Sequence, residues 1–114
     1  MDLTTTLHGT CLVVEIHSPE VDHTVSEDFK EAVLARFETS GARELLLDLG
    51  PVSFLDSKAI GAMVSVRKTV TAKGGKLGLY GLQPNVAKII RVVTLGTLFE
   101  VYPDLQTALE RACG

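Results

Sequence analysis

A chain of 114 residues is the size of one ordinary domain, and is long enough to bury a core of its own. With 46% hydrophobic and 22% charged residues, the composition is that of a folded protein and excludes a disordered one. A net charge of −3 opposes nucleic-acid binding, which needs a basic stripe, and every uncharged apolar run is far short of the roughly 20 residues of a membrane span.

Leu3 to Leu7 and the run Cys11-Leu12-Val13-Val14-Glu15-Ile16 read as two strands that pair across a His8-Gly9-Thr10 turn. Thr24-Val25-Ser26-Glu27 fits a capping box, after which Phe29, Val33 and Phe37 recur every four residues. This spacing predicts an amphipathic helix closing near Ser40-Gly41. Leu45 to Leu49 is apolar on both faces except at Asp48, as a strand covered on both sides would be.

A second helix is predicted from about Ser57 to Ala72, with Ile60, Met63, Val64, Arg67 and Val70 or Thr71 on related faces. Lys73-Gly74-Gly75 ends it with late positive charge and a residue that tolerates left-handed geometry. Leu77 and Leu79 alternate in a short strand. Pro84 then opens a third helix, where a missing N–H costs nothing, and Val86, Ile89, Ile90 and Val93 form its core stripe. Leu98 to Tyr102 is the last strand, and Asp104 caps a final helix bearing Leu105, Ala108, Leu109 and Ala112. The alternation predicts an α/β fold: a mixed four- to five-stranded sheet with about four helices packed mainly on one face.

The two cysteines lack CxxC spacing and nearby histidines, which opposes zinc. Cys11 reads as a small buried hydrophobe and Cys113 as a bystander in the C-terminal tail. The N-terminus lacks the basic and apolar stretches of a signal peptide, so the expected compartment is the cytoplasm.

The segment Val52 to Gly61 holds the most chemistry. It joins an apolar strand to an amphipathic helix and puts Ser57 at the helix start, directly after Asp56. Free N–H groups at a helix N-terminus favour an anion, so Ser57 is either part of a cap or a site for a phosphate. Capping is the commoner role of such residues. Use of Ser57 as a nucleophile needs a general base within about 3 Å, and neither a GxSxG elbow nor a neighbouring histidine is present.

Weaker signals take ordinary readings. Ser65-Val66-Arg67-Lys68 matches SxxK by chance, mid-helix and without companion motifs. His8 and His17 are scattered, and His23 stands in a loop beside Asp22. Arg67, Lys68, Lys73 and Lys76 form a solvated basic patch, and Gly74-Gly75 lacks Walker spacing.

Phe54-Leu55-Asp56-Ser57-Lys58-Ala59-Ile60-Gly61 resembles the phosphorylation-site signature of bacterial anti-sigma factor antagonists, apolar-Asp-Ser-Ser/Thr-Gly-Leu-Gly. These are proteins of a single STAS domain, and the resemblance covers nearly the whole chain. Pro19-Glu20-Val21-Asp22 stands for the family's Gly-Glu-Ile-Asp, Lys73 to Leu77 for its Gly-Gly turn, and Val92 to Phe99 for its Gly-Leu-Phe strand entry.

The resemblance implies one STAS domain over residues 1–114, with Ser57 as the phosphoacceptor. It implies a partner surface that includes Asp22, His23, Asp56, Ser57 and Lys58. Its partners would be an ATP-binding serine-protein kinase of the anti-sigma type and a serine phosphatase, with no cofactor, no catalysis, no nucleic acid and no membrane insertion. Lys58 and Ala59 depart from the motif: Lys58 replaces a hydroxyl and is expected to offset a phosphate's charge. Ala59 replaces a glycine, firming the helix and adding a methyl group where a kinase approaches. These departures keep open an alternative, a STAS subunit of a lipid ABC transporter-like complex that is never phosphorylated.

Overall fold

The computed structural model describes residues 1–113. Two antiparallel strands open the chain, β1 (Leu3–His8) and β2 (Cys11–Ile16), and Gly9 supplies the positive φ of 62° at the turn between them. The rest alternates: β3 (Glu20–Val21), α1 (Ser26–Ser40), β4 (Glu44–Asp48), β5 (Phe54–Leu55), α2 (Ser57–Ala72), β6 (Leu77–Tyr80), α3 (Pro84–Thr94), β7 (Glu100–Tyr102) and α4 (Leu105–Ala112). The five-stranded sheet has the order β1-β2-β4-β6-β7, with every pair after the first parallel. The mixed sheet and four helices agree with the sequence-based expectation.

Side-chain alternation divides the core. Leu45 and Leu47 of β4 point into the larger cluster with Phe29, Val33 and Phe37 of α1, while Leu46 points the other way. That larger cluster also takes Ala59, Ile60, Met63, Val66 and Val70 of α2 and Val86 and Ile90 of α3. Three helices therefore cover one face. On the other, α4 alone lays Ala108 and Ala112 over Cys11, Val13, Leu46 and Tyr80. Asp104 caps α4 as expected, accepting from the Thr107 N–H at 2.8 Å.

Several expectations need correction. Cys113 is no bystander, and Cys11 is no unpaired hydrophobe: the two form a disulfide 102 residues apart in sequence. Spacing could not reveal this, because the pairing depends on α4 folding back over β2. The capping box does not form. Asp22 captures the Thr24 hydroxyl (2.5 Å) and N–H (2.9 Å) in a local turn, and α1 begins after Val25 with no side-chain cap.

On α2 the buried position is Val66, not Arg67 or Thr71. The Thr71 hydroxyl instead donates back to the Arg67 carbonyl. Val93 of α3 is 49% exposed rather than core, because no described residue covers that side of the helix. The last strand starts at Glu100, two residues later than expected, after Phe99 has turned into the core.

Candidate functional site

The site is built by a feature with no sequence period, the two-residue parallel pairing of β3 with β5, in register Glu20 to Phe54 and Val21 to Leu55. The Pro19 carbonyl anchors it, accepting from the Ser53 N–H at 2.7 Å and from the Ser53 hydroxyl at 2.9 Å. Because the two strands run in parallel, their next residues emerge side by side. Asp22 and His23 leave β3 just where Asp56 and Ser57 leave β5.

Asp56 holds this junction together. Its Oδ1 accepts from the Ala59 N–H at 2.9 Å, making it the N-cap of α2. Its Oδ2 accepts from the His23 N–H at 2.7 Å, and the His23 Nδ1 stands 3.6 Å from the same oxygen. One carboxylate thus closes the helix and ties the β3–α1 loop to it. Burial pushes the Asp56 carboxyl up, but the N–H groups of Ala59 and His23 outweigh it and hold the group below the usual 3.8. Asp22 is held down as well, by the Thr24 hydroxyl and then by the Thr24 N–H.

Both shifts set the pH dependence. The unfolded carboxyls protonate first as pH falls past 3.8, so the unfolded state binds more protons there and stability drops until the folded groups titrate too. Asp56→Ala is expected to cost about 1–2 kcal/mol near neutral pH, and progressively less in acid, once the pH has fallen through the lowered pKa of the folded carboxyl. Urea unfolding of both proteins at neutral and at acid pH checks this. An equal gap at both would remove the carboxylate as its source.

Since Asp56 does the capping, Ser57 has no capping duty. It occupies the first helical position, is exposed, and its hydroxyl forms no hydrogen bond within the described residues. The N–H groups of Ser57 and Lys58 likewise find no acceptor among the described residues, as expected of the first N–H groups of a helix. Lys58 is exposed and makes no ion pair among the described residues.

All five residues expected at the surface, Asp22, His23, Asp56, Ser57 and Lys58, are brought together at this end. Ala59 departs from expectation. It is completely buried in the main core, so its methyl group stands in no partner's way.

An open groove continues from Ser57 between α1 and α2, with Ser26, Glu27 and Lys30 on one wall and Gly61 and Ser65 on the other. Sequence reasoning missed this groove. The i, i+4, i+8 spacing of Ser57, Gly61 and Ser65, all small, was the available signal. Gly61 is not there for packing, since an added Cβ would meet nothing within 4 Å. Lys30 is engaged by Glu27 at 2.8 Å, and Ser65 donates to the Gly61 carbonyl at 3.3 Å. Phe54 was also missed: it is 41% exposed on β5, two residues before Asp56, a large apolar side chain beside a polar site.

Among the described residues no cluster of three or more His, Cys, Asp or Glu side chains could hold a metal, and no helix is long and apolar enough to cross a membrane. His17 meets Glu15 at 3.0 Å and Thr4 at 2.7 Å, away from the site.

Comparison with known proteins agrees with this architecture. The family model described as the STAS domain matches residues 2–108. A Thermotoga neapolitana protein, named provisionally as an anti-sigma factor antagonist homologue, is 29% identical over 86 residues, covering 75% of this chain and 76% of its own. An anti-sigma-factor antagonist (STAS) domain protein of Planctomyces limnophilus superposes with a TM-score of 0.85 over 100% of both chains at 22% identity. The Bacillus cell-fate determinant SpoIIAA in its phosphorylated form superposes with a TM-score of 0.68 at 17% identity, over 96% of this chain and 98% of its own. The parallel β3–β5 junction, the aspartate-capped α2 and the match across nearly all of its length make this chain a member of the STAS-domain family.

Proposed function

We propose that this protein is a partner-switching regulator of the anti-sigma factor antagonist type, worked by phosphorylation of Ser57. The observation that carries the reading is that Asp56 caps α2 by itself, leaving the Ser57 hydroxyl exposed and unbonded at the helix mouth. In the unmodified state Asp22, His23, Asp56, Ser57 and Lys58, extended by Phe54 and the α1–α2 groove, form the surface that docks on an ATP-binding serine kinase of the anti-sigma type. The kinase transfers the γ-phosphoryl group of ATP to the Ser57 oxygen, whose proton leaves to the medium. A serine phosphatase hydrolyses the ester and resets the switch. The protein is then a substrate of enzymes and not itself one, needs no cofactor, and works in the cytoplasm.

The electrostatics support a change of affinity without a change of fold. A phosphate adds about −1.5 to −2 charges at neutral pH. The free N–H groups of Ser57 and Lys58, the helix dipole and the Lys58 ammonium all stabilise it where it stands. The partner has no such compensation if its own nucleotide phosphates or carboxylates lie opposite. A clash of about 2.7 kcal/mol lowers affinity about a hundredfold.

The test is incubation with the kinase and ATP, with the phosphate located by mass spectrometry. Ser57 is expected to carry it, and Ser57→Ala to accept none. Ser57→Asp is expected to bind the kinase about a hundredfold more weakly than the unmodified chain, with an unchanged circular dichroism spectrum. Phosphate on another residue, or tight binding by Ser57→Asp, would overturn the proposal.

A further inference from the structure

The sheet edge formed by β7 carries a second surface, none of whose residues lines the Ser57 groove. Among the described residues β7 pairs only with β6, which leaves it at the edge of the sheet. Val101 of β7 is 49% exposed, and Leu95, in the turn between α3 and β7, is 84% exposed. Leu95 is unusual twice over. It holds a left-handed φ of 56°, which disfavours any residue with a Cβ, and it projects its isobutyl group almost wholly into water. Glycine would suit that backbone better, so neither the turn nor the core explains the leucine.

Beside this knob lies a hole. A cleft of about 230 Å3 opens between α3 and β7, with Leu82, Ala87, Ile90 and Phe99 as its apolar lining and Arg91 and Thr94 as its polar one. A projection and a recess on one surface are what a twofold-symmetric contact requires.

We propose that this edge is a self-association surface whose occupant is a second copy of the chain, with β7 pairing antiparallel to β7 across a twofold axis at Val101. On the α3 side, Val101 then faces Val101 of the second copy, and each Leu95 is directed at the opposite cleft. On the α4 side, each Glu100 falls opposite the second copy's Tyr102.

Charge favours that arrangement. Glu100 and Arg111 both act on the Tyr102 hydroxyl within one chain, and neither joins an ion pair among the described residues. Pairing therefore brings each Glu100 near the second copy's Arg111, twice by symmetry. Pro103 ends the strand directly after Tyr102 and stops further pairing, so the contact closes as a dimer and does not extend as a fibre. The contact is one short strand pair with a single projecting leucine from each copy, so a dimer in exchange with monomer is expected.

Sedimentation of the full chain from about 5 to about 500 µM tests this, with Leu95→Gly and Val101→Lys as probes. Concentration-dependent dimers are expected for the unaltered chain. Each substitution is expected to weaken them about tenfold or more. Leu95→Gly should do so without lowering the thermal midpoint, since it relieves the left-handed backbone. A chain monomeric across the whole range overturns the proposal, as do dimers indifferent to both substitutions. A monomer that instead pellets with anionic phosphatidylserine vesicles would assign the patch to a lipid surface, and overturns it equally.

Discussion

Gly75→Ala is expected to destabilise the fold by about 3 kcal/mol or more, although it adds only a methyl group. A Cβ at this position would stand 1.8 Å from the Arg43 carbonyl oxygen and 2.9 Å from its carbon, well inside van der Waals contact. The obstacle is backbone, and it cannot swing away as the tip of a side chain would. The Arg43 N–H is bonded to the Thr10 carbonyl at 2.8 Å, and the Leu45 N–H to the Lys76 carbonyl at 2.9 Å. Gly75 itself donates to the Val70 carbonyl at 3.1 Å, so relief requires moving the end of α2 away from the start of β4.

The neighbouring glycine provides the control. Gly74 takes a φ of 80°, and its nearest foreign atom from an added Cβ would be the end of the Arg43 side chain at 3.8 Å. Gly74→Ala therefore meets only the left-handed penalty, about 1 kcal/mol. Urea unfolding of the two variants should separate them by about 2 kcal/mol, and equal losses would refute the close-approach account.

Reduction of the Cys11–Cys113 disulfide is the second large effect, expected to lower stability by about 2–4 kcal/mol. The bond links residues 102 positions apart, so it restrains nearly the whole unfolded chain. It also fastens α4, a helix of eight residues that is too short to persist without docking. Beneath α4 lie Val13, Leu46 and Tyr80, which a detached helix would uncover. Burial, reinforced by Asp48, pushes the Tyr80 hydroxyl well above its ordinary range, consistent with a face kept from water. Denaturation with and without dithiothreitol should show the loss, and Cys113→Ser should reproduce it under oxidising conditions. Coincident transitions would mean that the bond constrains nothing in solution. Reducing compartments keep most thiols reduced, so this contribution is expected only under oxidising conditions.

Local patterning was enough for much of this architecture. The four-residue recurrence of Phe29, Val33 and Phe37 marks the buried face of α1, and Pro84 and Asp104 announce two helix starts that the chain uses. The doubly apolar run around Leu46 identifies a strand covered on both faces. These signals are short-range. Each depends on a side chain's own backbone geometry or on neighbours within one helical turn, which residue order alone specifies.

The functional end of the molecule was half visible in the same way. An aspartate and a serine ahead of an amphipathic stretch mark a helix start, but they do not say which of the two caps it. That choice rests on Asp56 finding the Ala59 N–H with one oxygen and the His23 N–H, 33 residues away in sequence, with the other. Thr24 fails as a cap for a local reason: its hydroxyl and N–H both turn onto Asp22, two residues earlier, and α1 starts after Val25. The β3–β5 pairing, the groove between α1 and α2, the inward turn of Ala59 and the joining of Cys11 to Cys113 are all long-range. Each sets residues far apart in the chain against one another, and no periodicity records a meeting that exists only once the sheet has assembled.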